Sequence, residues 1–234
     1  MGESRAIYRF DDETPPPVKS GKRFDTILDA AEYVFADKGF NGASMREIAA
    51  RAEVAQALIY YHFDNKEKLF EAMAARQANA INEARAELLA KIFDTSENPK
   101  LEVVVEALFR PTIETGKILA KEGGGFSRIL VSIANSSDPR DTQLAERYYD
   151  PIAKKFIEAF SRIEPDLPHK DAVWSYMFSI GVGMTMMAQT GRSKRLSDGV
   201  CDDGDIEEML SEIVTYVCGG IRALVAQNRN TKID

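Results

Sequence analysis

The residues best suited to chemistry lie in one short stretch, Gln56 to His62. Its polar side chains can hydrogen-bond to base edges or to phosphates from inside a DNA groove. They are Gln56, Tyr60, Tyr61 and His62. Asn65 and Lys66 follow, where the start of another helix offers unpaired amides and a cation to a phosphate. These residue types predict contact with nucleic acid.

A two-helix corner would position this stretch. Ala49, Val54 and Ile59 recur at offsets of five, with a turn between them. Such spacing buries one apolar residue from each part of the corner and turns the second helix outward. Helical corners also occur in proteins that never contact DNA, and His62 could pack or cap instead of binding. The corner by itself leaves both alternatives open.

Helical periodicity continues through most of the chain, and no stretch alternates in the manner of a strand. We therefore expect an all-α protein of about nine helices. Gly39 is predicted to end the first helix, Ser44 to start the second through a capping box with Glu47, and Asn65 to cap the fourth. Pro111 lies inside the fifth helix, where a kink is expected.

The run from Arg23 to Phe70 resembles the DNA-binding domain of the TetR (tetracycline repressor) family. The resemblance covers about 50 of the 234 residues, but the matches stand at fixed spacing. The matching residues are Ile27, Leu28, Ala30, Ala31, Phe35, Gly39, Phe40, Ser44, Ile48, Ala49, Val54, Tyr60, His62, Phe63, Lys66 and Leu69.

The resemblance implies a role for each residue of the corner. Ser44 would cap the second helix beside a phosphate, and Arg46 would face the groove. Tyr60 and Lys66 would hold the DNA backbone. The residues expected to meet bases are Gln56, Ala57, Leu58, Tyr61 and His62.

Two residues depart from the family pattern, which usually has Gly at the position of Glu53 and often Ser or Thr at that of Ala55. Glu53 must adopt a turn conformation that glycine finds easier. Ala55 gives the recognition helix no side-chain cap, which costs about 1 kcal/mol. We expect a turn of reduced rigidity, with Ala57 and Leu58 contacting thymine methyl groups.

We divide the chain into three parts. Residues 1–18, with three consecutive prolines, are expected to form a flexible arm. Residues 19–65 are predicted to form the DNA-binding domain, and residues 66–234 a helical ligand-binding and dimerisation domain. The net charge of −7 argues against a generally cationic surface, yet residues 19–68 hold eight Lys or Arg and eight Asp or Glu. Specific contacts, not unspecific attraction, should therefore supply the affinity.

The last two long helices carry apolar residues at alternating steps of four and three. Two such seams need covering, and the family resemblance implies a four-helix bundle formed with a second subunit. The predicted interface residues are Ile180, Met184, Met187, Ile213, Val217, Gly220 and Leu224. A homodimer of this kind would present two recognition helices to an inverted-repeat operator.

Aromatic and thioether side chains between these parts could line a pocket for a small apolar or amphipathic effector. The candidate lining residues are Phe109, Phe126, Trp174, Met177 and Phe178. Kinks at Pro111 and Pro151 would leave room for the pocket. An effector that prefers a wider separation of the recognition helices would release the DNA.

Other classes of protein have little support. The chain has two distant histidines, no nucleophile motif, no phosphate loop and no metal-ligand spacing, so we expect no enzyme, cofactor or metal site. No apolar run reaches membrane length and no signal peptide is recognisable, so we expect a cytoplasmic protein without membrane contact. A helical dimer that binds a ligand or a protein without DNA is the alternative.

Overall fold

The computed structural model describes residues 21–121, 125–187, 190–202 and 204–231. Every regular element in these ranges is a helix, which confirms the all-α class. The helices are α1 (Lys22–Gly42), α2 (Met45–Arg51), α3 (Gln56–Phe63), α4 (Lys66–Thr95), α5 (Leu101–Lys121), α6 (Phe126–Ala134), α7 (Pro139–Tyr148), α8 (Asp150–Ile163), α9 (His169–Met187), α10 (Arg192–Leu196) and α11 (Ile206–Thr231). The arm predicted for residues 1–18 lies outside the described residues.

The local signals at the start of the chain are confirmed. Gly39 has a φ of 67°, which breaks the regular helix near the end of α1. Ser44 and Glu47 form the expected capping box at the start of α2. The Asn65 side chain accepts a hydrogen bond from the Lys68 amide at 2.8 Å and so caps α4.

The described residues form eleven helices, not nine. Helical periodicity across residues 138–163 predicts one long helix interrupted at Pro151; the structure divides it at Tyr149 into α7 and α8, because Pro151 has no amide for the helix ladder and its ring crowds the preceding turn. The polar loop before α11 contains the short helix α10, which follows Gly191 at a φ of 63°. These two differences account for the change in number.

Two clusters of buried residues organise the fold. The first joins α1, α2, α3 and the beginning of α4, and it also takes Ile129 and Ile133 from α6 and Leu144 and Tyr148 from α7. The second joins the rest of α4 to α5, α8, α9 and α11. Since α4 contributes to both clusters, a movement of this helix would affect α1, α2 and α3 together with α5, α8, α9 and α11.

By length and composition, one described helix could cross a membrane, the stretch Ile206–Asn230 of α11. Several polar residues lie within this stretch, so it contains no uninterrupted apolar run of membrane length. One face of this helix packs against α5 and α9, with Leu210, Ile213 and Val217 buried. The core helix of a soluble protein has the same length and composition, so the finding is weak evidence for a span.

Candidate functional site

The start of α2 is held by several polar contacts. The Ser44 hydroxyl accepts from the Glu47 amide at 3.2 Å and donates to the Glu47 carboxylate at 2.9 Å. The ammonium of Lys38 also bonds to that carboxylate, and together these contacts lower the pKa of Glu47. The Ser44 side chain is thus engaged in the cap, whereas Arg46 is exposed and makes no ion pair with any described residue.

The turn between α2 and α3 has the strain expected from the sequence. Glu53 adopts a φ of 54°, in the left-handed region that glycine occupies without penalty. The Val54 amide donates to the Ala49 carbonyl at 3.0 Å and closes the turn. Ala55 stands at the N-cap of α3 and supplies no side-chain hydrogen bond. The structure therefore shows both predicted consequences, the left-handed backbone at Glu53 and the missing side-chain cap at Ala55.

Helix α3 is fixed by one face and open on the other. Ile59 and Phe63 are buried in the first cluster. On the opposite side Gln56 and Ala57 are exposed, as are Tyr60 and Tyr61, the last at 81%. This arrangement anchors α3 by its inner face and leaves an outer surface that could enter a major groove.

Two of the residues expected to meet bases are less accessible than this outer face. Leu58 is half-buried and packs against the first cluster. His62 is half-buried as well, with its ring edge-on to Phe24 at 5.8 Å between centroids. Both lie at the margin of the exposed surface, so the packing role that the sequence left open for His62 is present.

The Lys66 side chain makes contacts within the protein that the sequence did not indicate. Its ammonium donates to the Phe40 carbonyl at 2.9 Å and to the Ala43 carbonyl at 3.1 Å, and it lies 4.6 Å from the centre of the Phe40 ring. These contacts join the beginning of α4 to the segment between α1 and α2. One of its three N–H groups remains to meet a phosphate.

The five residues predicted to line an effector pocket do not come together. Phe109 and Phe126 are buried in the second cluster. Trp174, Met177 and Phe178 lie on the outer face of α9, where Trp174 and Phe178 are 50% and 60% exposed. The subunit does not bring these five residues into one pocket, because Trp174, Met177 and Phe178 lie on the side of α9 that faces away from Phe109 and Phe126.

The predicted dimer seam also requires correction. Met187, Ile213 and Val217 are buried within their own subunit. Ile180, Met184 and Leu224 are half-buried and pack against the second cluster. Only Gly220 of the predicted set is exposed. The apolar seam read from the sequence is therefore mainly the inner face of α9 and α11.

A different surface is left open on the same two helices. On α9, Trp174 stacks on Phe178 with 5.6 Å between ring centroids, and Met177 and Gly181 lie beside them. On α11, Tyr216 and the exposed Gly219, Gly220 and Ala223 occupy the outward side. We call these residues the outer face of the bundle.

Two of the buried charged residues, Glu32 and Arg85, have surroundings that the sequence did not indicate. Glu32 of α1 accepts from the Gln77 amide nitrogen at 3.0 Å and lies 3.8 Å from the guanidinium of Arg76. Burial raises the pKa of Glu32. Arg85 of α4 is 5% exposed within the second cluster. Each stands four residues from a buried apolar neighbour, Leu28 and Ile81 respectively, and this position on a stripe was the available signal.

Similarity to known proteins agrees with this architecture. Residues 27–73 match the family model described as bacterial regulatory proteins, tetR family, and residues 106–220 match the tetracyclin repressor-like C-terminal domain. The solved structure of AibR in complex with isovaleryl coenzyme A and operator DNA has a TM-score of 0.60 at 22% identity. That match covers 82% of this chain and 96% of AibR and shows the fold.

Two curated relatives resemble mainly the first part of the chain. The HTH-type transcriptional activator FasR of Mycolicibacterium smegmatis is 36% identical over 89 residues, 38% of this chain. The HTH-type transcriptional repressor NicS of Pseudomonas putida is 36% identical over 73 residues, 31% of this chain. These matches span only 39% and 34% of the relatives' own lengths. Matched by both its N-terminal and its C-terminal family models, the chain belongs to the TetR family of bacterial regulatory proteins.

Proposed function

We propose that this protein is a ligand-responsive transcriptional repressor that binds an inverted-repeat operator as a homodimer. The observation that carries the proposal is the geometry of α3, whose inner residues Ile59 and Phe63 are buried while its outer residues are exposed. A short helix fixed in this way can read base edges without rearranging. We propose repression and not activation because the relative NicS is named as a repressor.

The exposure of the side chains supports two groups of DNA contacts, one to bases and one to the phosphate backbone. Gln56, Ala57 and Tyr61 form the exposed surface that would meet bases, with Leu58 and His62 at its margin. The backbone would be held by Ser44, Arg46, Tyr60 and the remaining N–H of Lys66. Contacts to phosphate fix the register on the duplex, and contacts to bases give the sequence preference.

The outer face of the bundle would form the dimer interface. Its stacked Trp174 and Phe178 provide a broad apolar surface, and Gly219 and Gly220 would allow two helices to approach closely because an added Cβ would meet nothing within 4 Å. Aromatic residues are enriched at the centres of protein interfaces. The proposed interface is rotated by part of a helical turn about α9 and α11 from the seam predicted from the sequence. That seam consists of Ile180, Met184, Met187, Ile213, Val217, Gly220 and Leu224.

Effector control would act through α4. On this helix Lys66 lies beside α2 and α3, and Arg85 lies in the second cluster. The two residues are about 28 Å apart at 1.5 Å per residue. A small molecule bound among α4, α5, α8 and α9, with Phe109 and Phe126 in the surrounding core, would shift α4 and change the spacing of the two α3 helices. The proposal places the protein in the cytoplasm with its operator and away from membranes.

The proposal is tested by selecting genomic fragments that the purified protein retains. The enriched sequence is then compared with random duplex by fluorescence anisotropy at about 0.15 M salt, where specific binding should exceed unspecific binding by about a thousandfold or more. Equal affinity for both duplexes would reject a DNA function and favour a helical dimer that binds only a ligand or a protein.

A further inference from the structure

Arg85 is a guanidinium enclosed by apolar helices. It projects from α4 between Ile81 and Leu89, both of which are buried in the second cluster. Its Nε donates to the Leu108 carbonyl at 2.8 Å, one Nη to Thr112 Oγ1 at 2.8 Å, and the other to Asn82 Oδ1 at 3.3 Å. These contacts use three of its five N–H groups.

The charge of Arg85 is not balanced within the described residues. All three of its hydrogen-bond acceptors are neutral oxygens, and no described carboxylate lies within ion-pair distance. Arg76, Arg110, Arg140, Arg147, Arg222 and Arg229 each pair with a carboxylate. Taking a guanidinium out of water without a counter-charge is costly, and a buried charge is ordinarily paired.

One explanation of Arg85 is purely structural. Pro111 interrupts the hydrogen-bond ladder of α5, and the bonds of Arg85 to Leu108 and Thr112 stabilise the helix next to that proline. A neutral donor could satisfy the same carbonyl and hydroxyl oxygens. The structural role therefore accounts for the hydrogen bonds but not for the choice of a permanent cation.

Two tyrosines adjoin the guanidinium closely enough for electrostatic coupling, Tyr149 at the break between α7 and α8 and Tyr176 on α9. Burial raises the pKa of both phenols, to about 12 for Tyr149. They remain protonated at physiological pH, so they cannot neutralise Arg85. As neutral phenols they can donate hydrogen bonds to an anion beside it.

We propose that Arg85, with Tyr149 and Tyr176, receives the carboxylate of a small apolar effector at the junction where α4, α5, α8 and α9 pack together. Two N–H groups of Arg85 and the two phenols supply donors for its oxygens. A monoanion matches the single positive charge, whereas a doubly charged phosphate would leave a net charge buried. The surrounding second cluster suits a hydrocarbon tail. The inference rests on the proposed ligand-responsive function and specifies its effector class.

The site connects directly with the recognition corner. On α4, Arg76 and Gln77 contact Glu32 of α1, about two and a half turns before Arg85. A carboxylate drawn to Arg85 would pull on α4 between α5 and α8. This movement would be transmitted to the contacts with α1 and would change the position of α3.

The test uses unbranched alkanoates of four, six, eight and ten carbons, together with the matching methyl esters and n-alkylamines. Thermal unfolding of the full chain is followed at rising concentrations of each compound, because a ligand that binds only the folded state raises Tm. At least one alkanoate should raise Tm, and its ester and amine should not. If no alkanoate raises Tm, or if the ester acts equally well, the inference is wrong.

Variants then locate the binding site. Arg85→Gln should weaken the apparent affinity for the active alkanoate about tenfold or more, since charged hydrogen bonds are lost. Tyr149→Phe, which preserves packing, should weaken it several-fold and serves if the first variant does not fold. Arg110→Gln, which removes an arginine paired with three glutamates, is the charge-matched control and should leave the affinity unchanged. Unchanged affinity in Arg85→Gln, or in Tyr149→Phe where only that variant folds, would restrict Arg85 to its structural role.

Operator binding is measured on the same samples. Wild type and Arg85→Gln should bind the selected duplex equally in the absence of alkanoate, and the alkanoate should release only the wild type. Intact operator binding by the wild type without any alkanoate response, or release of Arg85→Gln by the same alkanoate concentration as the wild type, would overturn the carboxylate site and leave the proposed repressor function standing. Failure of both proteins to prefer the selected duplex would overturn the proposed function.

Discussion

In the proposed function, single side chains of α3 would determine which DNA sequence the protein recognises. Gln56 and Tyr60 lie one turn apart on the exposed side of the helix. An amide can pair with a base edge, and a phenol with a phosphate. Their substitutions should therefore differ in kind, although both remove an exposed polar group.

We predict that Tyr60→Ala weakens binding to all duplexes by a similar factor, whereas Gln56→Ala changes which base is preferred at one position of each half-site. A well-placed base contact contributes about 1–3 kcal/mol of discrimination. Anisotropy with a set of single-base operator variants measures both effects. Glu87→Ala, at an exposed residue of α4 far from Lys66, is the control, and identical profiles for the two α3 variants would contradict the assignment.

Glu32 shows how a single buried charge connects two parts of the fold. Its carboxylate is buried between α1 and α4, and the first amide of α6, at Phe126, is close enough to stabilise the charged form. Burial is nevertheless the largest influence and raises the pKa above 4.5. Arg76 retains a second partner, Asp29 at 2.8 Å, if Glu32 is neutralised.

The raised pKa of Glu32 determines how the stability of the folded state changes with pH. The proton on Glu32 stabilises the folded state fully below pH 4.5, and this stabilisation is lost as the pH rises through the raised value. Glu32→Gln should therefore have a higher Tm than the wild type at pH 7.5, with the difference shrinking as the pH falls towards 4.5. Asp29→Asn, at an exposed carboxylate nearby, is the comparison. A Tm difference that grows on acidification would contradict this account.

At the scale of elements, the recognition corner was largely predictable from the sequence. The capping box at Ser44, the cap at Asn65 and the break at Gly39 depend on contacts within a few residues, so local sequence contains them. The strain at Glu53 was also expected, because a residue other than glycine stands at a turn position. Backbone geometry of this kind gives a direct prediction for stability.

We predict that Glu53→Gly stabilises the protein by about 1 kcal/mol, because glycine adopts the left-handed conformation without steric cost. Ala50→Gly, three residues earlier on the exposed side of right-handed α2, should destabilise it by about 1 kcal/mol. Denaturant unfolding measures both variants. The explanation fails if the two substitutions change the free energy of unfolding in the same direction.

Faces of the long helices were not predictable from periodicity alone. On α9 one side carries Met187 into the core and the other exposes Trp174 and Phe178, yet both sides are apolar. A helix that is apolar around much of its circumference gives no single stripe from which to choose the buried side. The choice depends on which helices pack beside it, and Phe109 of α5 fits against Gly183, where an added Cβ would lie 2.6 Å from the ring.

The same limit explains why the buried charges were missed. Glu32 and Arg85 stand on apolar stripes, but a charged residue on a stripe can also mark the edge of the buried surface. Their partners are distant in the chain: Gln77 for Glu32, and Leu108 with Thr112 for Arg85. Tertiary packing decides between the alternatives.

At the scale of the whole molecule, the proposed dimer must hold two α3 helices in fixed relation. The outer face of the bundle would supply that relation, and its stacked aromatic pair should contribute strongly, since aromatic residues dominate binding energy at interfaces. Dimer formation and operator affinity should therefore change together when this face is altered.

We predict that Trp174→Glu with Phe178→Glu weakens the dimer by about 3 kcal/mol or more, roughly a hundredfold or greater in Kd. Sedimentation equilibrium should show monomers at micromolar concentration, with the helical circular-dichroism signal retained. Ile118→Glu, at an exposed apolar residue on α5, is the matched control and should stay dimeric. A double variant that remains dimeric would place the interface elsewhere.

The central claim is that two outward α3 helices, related by the dimer axis, enter successive grooves of one duplex. The most direct measurement titrates the selected operator, and the same operator with one half-site scrambled, by fluorescence anisotropy with the stoichiometry determined. The account predicts two chains per intact duplex and a loss of most specific affinity on scrambling. One chain per duplex, with the same affinity for both DNAs, would contradict it.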